Sequence, residues 1–197
     1  MSHKPALIVV DVQIDFCPGG ALAVRYGDQV VPRLNRIIRT FEESGLPIFF
    51  TRDWHPPDHV SFRSKKGPWA PHCVQGSTGA KFHPELDVPH DAEIISKGDR
   101  PSEEAYSGFQ GTDLEARLKR LGVGELFVGG LATDYCVKET TLDALRAGFD
   151  VEVLKDCVRP VDVKPGDGAR ALAEMQKEGA KLTTSVKAVN RLVSTQR

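Results

Sequence analysis

The stretch ELFVGGLATDYCVKETTLDALRAG, residues 125–148, changes character halfway along. Residues 126–129, LFVG, are a short β-rich apolar run. A small-residue turn, GGLATD, follows, and from TDYCV onward the chain is patterned as a helix. A strand feeding a helix through a tight turn is half of a βαβ unit. The fold therefore depends on whether the rest of the chain repeats it.

It does. Residues 6–10, 47–51, 93–96, 151–154 and 181–183 are further candidate strands. Between them, DQVVPRLNRIIRTFEESG (28–45) spaces apolar residues at helical intervals and closes on Gly45, the expected C-cap. GTDLEARLKRLG (111–122) does the same, with Thr112 or Asp113 as N-cap and Gly122 as stop. GDGARALAEMQKEG (166–179) is a fourth helix. This alternation predicts an α/β fold with a parallel sheet covered by helices on both faces, and it leaves the strand order open. Residues 52–92 break the pattern. Pro, Gly, His and Asp dominate there, and so long a loop is functional more often than connective. Its prolines suggest a rigid wall.

With 197 residues, 40% of them apolar and 27% charged, residues 1–197 are read as one globular domain with a full core. A net charge of −1 with scattered basic residues gives no footprint for nucleic acid or an anionic membrane. The longest apolar runs are too short to span a bilayer, and the N-terminus lacks the pattern of a signal peptide, so a cytoplasmic protein is expected. Cys17, Cys73, Cys136 and Cys157 form no CxxC pair, which argues for reduced thiols judged singly.

Ligands of parallel α/β sheets bind beyond the carboxyl ends of the strands, so the residues that follow each strand matter most. They are Asp11, then Arg52, Asp53 and His55, then Lys97, then Thr133, Asp134 and Cys136. Cys136 falls in the first turn of the expected helix, with Thr133 or Asp134 as cap. There the free amides and the helix dipole would favour thiolate and could form an oxyanion hole. The competing reading is a buried small hydrophobe. Asp11 and Lys97 are either a structural ion pair or, beside a thiol, a base and the cation that keeps it ionised. Asp53 and His55, at i and i+2, share a face if the strand stays extended, which suits two ligands of zinc, iron or manganese. His59 or His72 would supply a third, and a solvated loop is the alternative. His3 and His90 read as solvent-facing, His83 as structural and Cys157 as core. GVGELFVGG precedes a strand instead of opening a helix, so the dinucleotide fingerprint fails.

Together LIVVDVQIDFCPGGALAV (7–24), TRDWHPPDHVSF (51–62), GPWAPHCVQGSTGAKFHP (67–84), ISKG (95–98), EAYSGFQGTDL (104–114) and GLATDYCVKETTLDAL (130–145) resemble the nicotinamidase branch of the isochorismatase-like cysteine hydrolases. Six motifs in the family's order make the resemblance specific across nearly the whole chain. It implies a three-layer α/β/α sandwich with a six-stranded, mainly parallel sheet. It implies Asp11, Lys97 and Cys136 as catalytic triad and Asp53, His55 and His72 as ligands of one divalent metal, zinc first, with iron or manganese as alternatives. His59 and Ser61 match positions that vary in the metal shell, and their roles stay open. Phe16 and Trp69 match aromatics that hold a pyridine ring, and Tyr106 lies in a pocket-associated motif. A cis peptide at Leu131–Ala132 is implied, aiming the amides of Ala132 and Cys136 at an oxyanion. The implied activity is hydrolysis of nicotinamide through a thioester, in NAD salvage. The alternative is an amidase of the same family acting on a carbamoyl or ureido compound. A homo-oligomer is compatible with all of this.

Overall fold

A computed structural model of the chain describes residues 4–195. Six strands alternate with five α-helices, in the order β1 (Lys4–Val10), α1 (Val31–Glu43), β2 (Ile48–Asp53), β3 (Glu93–Lys97), α2 (Leu114–Arg120), β4 (Val123–Leu131), α3 (Lys138–Arg146), β5 (Asp150–Arg159), α4 (Asp167–Lys177), β6 (Lys181–Thr183) and α5 (Ser185–Thr195). The strands form one sheet in the order β3-β2-β1-β4-β5-β6, and every neighbouring pair is parallel. The sheet is thus wholly parallel where the family resemblance implied mainly parallel.

Alternation along the strands sorts the side chains into two apolar layers. Leu7 and Val9 face α1 and α5, packing with Leu34, Ile38, Phe41 and Leu192. Ala6, Ile8 and Val10 face α2, α3 and α4, packing with Leu118, Leu142 and Met175. Both faces of a parallel sheet are buried by the helices that its crossovers require, which is why the central strands read as unbroken apolar runs. All six expected strands form, and β1 to β5 each extend beyond the predicted limits. Cys157 consequently lies within β5, in the core, not after the strand.

Helix ends bear out the sequence reading at α1 and α2 and correct it before α3. Gly45 adopts the left-handed conformation (φ 62°) just after α1, as expected of a C-cap. At α2, Asp113 occupies the flanking position without a capping bond from its side chain, and the Leu114 amide instead meets the Thr112 hydroxyl at 3.3 Å. The segment Thr133–Val137 is a π-helical turn preceding α3, entered through Ala132, and neither Thr133 nor Asp134 caps it. The Asp134 carboxylate instead accepts from the amides of Val161 and Asp162 (2.8 and 2.9 Å). Helix α5 was not anticipated.

Strand order reverses between β1 and β4: successive strands leave β1 toward β2 and β3 on one side and toward β4, β5 and β6 on the other. This is the switch point at which open α/β sheets bind ligands. Residues 54–92 form no strand and no α-helix, only a 3-10 turn at Arg63–Lys65 and isolated bridges at His55–Val74, Phe62–Trp69 and Phe82–Gln13. Among the described residues no helix is long and apolar enough to cross a membrane. His90 is exposed, as expected; His3 lies outside the described residues.

Candidate active site and metal cluster

At the carboxyl edge of the sheet, four strand ends deliver charged and nucleophilic groups to one buried point. Asp11 follows β1 at a positive φ (48°), turning the chain out of the strand, and its Oδ1 accepts the Thr51 hydroxyl of β2 at 2.6 Å. Lys97 ends β3, and its ammonium lies 2.9 Å from Asp11 Oδ2 and 3.4 Å from Cys136 Sγ. It also donates to Asp53 Oδ1 and, at 3.3 Å, to the Ala105 carbonyl. A lysine fully removed from water is tolerated here because two carboxylates surround it. Although burial opposes the charged form, those carboxylates carry its pKa well above the ordinary lysine value.

Cys136 sits in the π-turn after β4, buried and facing the same point; one oxygen each of Asp11 and Asp53 and its sulfur all lie within 4.8 Å of one another. The expectation that a helix start would favour its thiolate does not hold. Burial, reinforced by the charges of Asp11 and Asp53, raises the thiol well above its ordinary value, and Lys97 only partly opposes this. A nucleophilic role for Cys136 therefore calls for a base to take its proton. Burial, the largest influence, likewise leaves Asp11 above the usual carboxylate range despite Lys97.

Beside this cluster, Asp53 Oδ2 faces His55 Nε2 at 3.4 Å and His72 Nε2 at 3.8 Å, and all three side chains are buried. The i, i+2 spacing of Asp53 and His55 does put both on one face. His55 Nδ1 lies 2.9 Å from the Gly98 carbonyl and His72 Nδ1 lies 2.7 Å from the Ala70 carbonyl. A carbonyl only accepts, so each Nδ1 carries a proton and donates it there, which leaves each Nε2 facing the carboxylate as the nitrogen a metal would meet. On His55, burial opposes the charged form, yet Asp53 draws the pKa up. Two imidazole nitrogens and a carboxylate oxygen converging in a buried site, with both rings braced by carbonyls, fit a divalent transition metal. Burial pushes Asp53 up, yet Lys97 and His55 hold it below the ordinary range, so it is an anion ready to ligate. Gly98 is part of this arrangement. Its φ is 59°, and a Cβ there would fall 2.6 Å from His55 Cε1.

His59 does not point its nitrogens into the cluster. Its Nδ1 meets Ser61 Oγ at 2.7 Å and its Nε2 meets the Glu103 carbonyl at 2.9 Å, while its ring stacks on His55 with centroids 4.1 Å apart. Ser61 is engaged by the same contact. Arg52 also turns away, donating to Ser96 Oγ (2.9 Å) with its guanidinium over the Trp54 ring.

A pocket opens onto the sulfur and the metal-type cluster together. Phe16, Trp69 and Tyr106, singled out from the sequence, line it with Asp53, His72, Ala132 and Cys136. The Trp69 indole donates to the Tyr106 hydroxyl at 3.0 Å, and the peptide Leu131–Ala132 is cis. Leu22, Val24, Tyr135 and Val161 also line the pocket and were missed. Tyr135, edge-on to Trp69 at 5.2 Å, was accessible to reasoning as the residue flanking the thiol; Val161 is 25 residues away from it, and no local pattern marks it.

Residues 5–186 match the Isochorismatase domain family. The nicotinamidase of Escherichia coli (strain K12) is 42% identical over 200 residues, covering 91% of this chain and 94% of that protein. The nicotinamidase/pyrazinamidase of Mycobacterium tuberculosis is 38% identical, covering 91% and 98%. Among solved structures, the pyrazinamidase of Pyrococcus horikoshii in complex with zinc superposes with a TM-score of 0.88 at 52% identity, covering 92% of this chain and 99% of the other. With its sheet, its strand-end cluster and these relatives in agreement, the chain belongs to the isochorismatase family.

Proposed function

We propose that this protein is a cysteine amidohydrolase that converts nicotinamide to nicotinate and ammonia. One observation carries the reading: a single aromatic pocket is lined at once by the Cys136 thiol and by two members of a metal-type donor set, Asp53 and His72. The relatives named above as nicotinamidases and pyrazinamidases support the substrate class. Residues 1–197 act as one catalytic domain in this reading, and NAD salvage is the pathway that supplies and consumes such compounds.

Phe16, Trp69 and Tyr106 would sandwich and edge the pyridine ring, leaving the carboxamide at Cys136. Asp11 takes the thiol proton as sulfur attacks the carboxamide carbon. An Asp11 oxygen and the sulfur lie within 4.8 Å of each other and burial raises both groups, which favours passing the proton between them as the sulfur attacks. The amides of Ala132 and Cys136 receive the oxyanion. The C–N bond then breaks, Asp11 returns its proton to the departing ammonia, and a thioester remains. Water, deprotonated by Asp11, adds to the thioester carbon and expels the Cys136 sulfur, which takes that proton back from Asp11 as the acid is released. Lys97 keeps Asp11 anionic between these steps and offsets the charge on sulfur. A divalent cation, zinc first with iron or manganese as alternatives, would be held by Asp53, His55 and His72, and when bound it supplies a Lewis-acid anchor for the ring nitrogen.

The test is direct. Purified protein should release ammonia and nicotinate from nicotinamide at enzyme-like rates, lose the activity to a chelator, and regain it with zinc, iron or manganese added singly. No release from nicotinamide alongside turnover of a carbamoyl or ureido compound would transfer the reading to that other branch of the family. Turnover retained by Cys136→Ala would instead point to a metallohydrolase with a structural cysteine.

A further inference from the structure

Neither Gln13 nor Asp15 touches the pocket, yet both reach the backbone that carries the metal-type residues. Gln13 is fully buried, and its amide is used completely on main chain. Its Oε1 accepts the Asp53 N–H at 2.8 Å, and its Nε2 donates to the Asp53 carbonyl at 2.8 Å and the Ala80 carbonyl at 2.9 Å. One side chain therefore grips both the N–H and the C=O of the residue whose carboxylate faces His55, His72 and Lys97. Asp15 performs the matching task at the other end of the cluster. Its Oδ2 accepts the Cys73 N–H at 2.7 Å, which is the amide of the peptide joining His72 to Cys73, and its Oδ1 accepts the Ala21 N–H at 3.1 Å. The peptide it holds leads into a residue at positive φ (Cys73, 46°), a conformation that needs such support.

The backbone between the two is itself pinned. Ile14 N–H donates to Lys81 O at 2.9 Å, Asp15 N–H to Gly79 O at 3.0 Å, and His83 N–H to Val12 O at 2.9 Å. Gly79 packs so closely on the Asp15 carboxylate that a Cβ there would lie 2.2 Å from it. The segment after Asp11 is thus tied to the far part of the long loop, while its two polar side chains reach Asp53 at the loop's start and His72 in its middle. The strand end and the loop also meet directly, through the His55 N–H to Cys73 O (3.0 Å) and the Gln75 N–H to His55 O (2.8 Å), and the two side chains add anchors on Asp53 and on the peptide after His72.

From these contacts we infer that Gln13 and Asp15 are positioning residues for the metal, a two-pronged brace that holds Asp53 and His72 at ligating separation. The inference rests on the proposed metal reading. Residues beyond the ligands that orient them commonly shift metal affinity by about 10–100-fold when altered. The experiment is zinc binding by stripped protein, measured in competition with a chromophoric chelator, for the wild type, Gln13→Met, Asp15→Ala and Asp15→Asn. Near-UV circular dichroism confirms folding of each. Gln13→Met and Asp15→Ala should raise the zinc Kd about tenfold or more. Asp15→Asn, which keeps one of two acceptors, should fall between Asp15→Ala and wild type.

Folded variants with the wild-type zinc Kd and only a lower Tm would overturn the brace and leave a scaffold role. If Gln13→Met does not fold, the two Asp15 variants decide the matter, because that side chain is only partly buried. A wild type that binds no zinc, iron or manganese would sink the metal reading and the brace with it, an outcome separate from variants matching a wild type that binds.

Discussion

The Asp11–Lys97–Cys136 cluster and the metal-type cluster are neighbours held in place by different means. Asp11, Lys97 and Cys136 stand at or just beyond the ends of β1, β3 and β4, strands whose parallel register sets where each begins and ends. His55 and His72 belong to residues 54–92, where only isolated bridges such as His55–Val74 pair the backbone, and individual hydrogen bonds to Gly98 and Ala70 orient their rings. Only Asp53 belongs to both, ending β2, pairing with Lys97 and facing the two imidazoles. A site set by the sheet should tolerate loss of a functional group without losing shape. A site set by single hydrogen bonds should be sensitive to its supports.

The largest effect should come from the sheet-set half. Cys136→Ala should lower kcat for ammonia release by about four orders of magnitude, since no second nucleophile shares the position. It should leave the zinc Kd within about twofold, because the sulfur lies outside the histidine cluster. A loss of zinc affinity as large as the loss of rate would mean that the two halves are one site. The control is Cys157→Ala. That thiol is also buried and is pushed up to about 12, chiefly by burial, but it faces no lysine, and activity should stay within about twofold.

Lys97→Met attacks the junction. It leaves two buried carboxylates without their shared cation, a change that costs about 3–5 kcal/mol in comparable buried pairs. Thermal unfolding should report the loss, and activity should fall by about a hundredfold or more. The same residue sets the pH profile. Asp11 must be ionised to accept the thiol proton, and burial raises its pKa above the usual value despite Lys97. The acid limb of kcat/KM should therefore lie above the value near 3.9 of an ordinary aspartate, with rate lost as pH falls through it. Replacing Lys97 removes the main influence that lowers that pKa, so the limb should move further up. An acid limb at or below the ordinary carboxylate value, in protein still folded by circular dichroism, would rule out Asp11 as the base.

The same contrast explains what could be read from the sequence. Asp11, Lys97 and Cys136 were legible from the residues because each follows an apolar run, and in a parallel sheet all strands end on one edge. The pairing of Asp53 with His55 was legible from period two. His72 was not settled that way: residues 56–71 intervene with no periodicity, and only the resemblance to a family separated it from His59. The helix-start argument considers amides alone, whereas burial and two carboxylates act on this thiol in the opposite direction. Helix α5 escaped notice because three of its eleven residues are valines, weak helix formers, although Ala188 and Leu192 fall on one face.

The smallest predicted effect is the sharpest test of the loop-set half, because it sets two histidines of one loop against each other. His72→Ala removes a lone pair aimed at Asp53 and should weaken zinc binding by about a hundredfold and raise KM for nicotinamide with it. His59→Gln removes a ring whose two nitrogens are already spent on Ser61 and the Glu103 carbonyl. Glutamine can still donate toward that carbonyl, so the cost is the lost stacking on His55, and the zinc Kd should change by less than about threefold. Equal losses in the two variants would place His59 among the ligands and mean that its hydrogen bonds to Ser61 and Glu103 give way when metal binds. Unequal losses would mean that in a loop without regular structure, the partner of the far ring nitrogen decides which histidine is free to ligate.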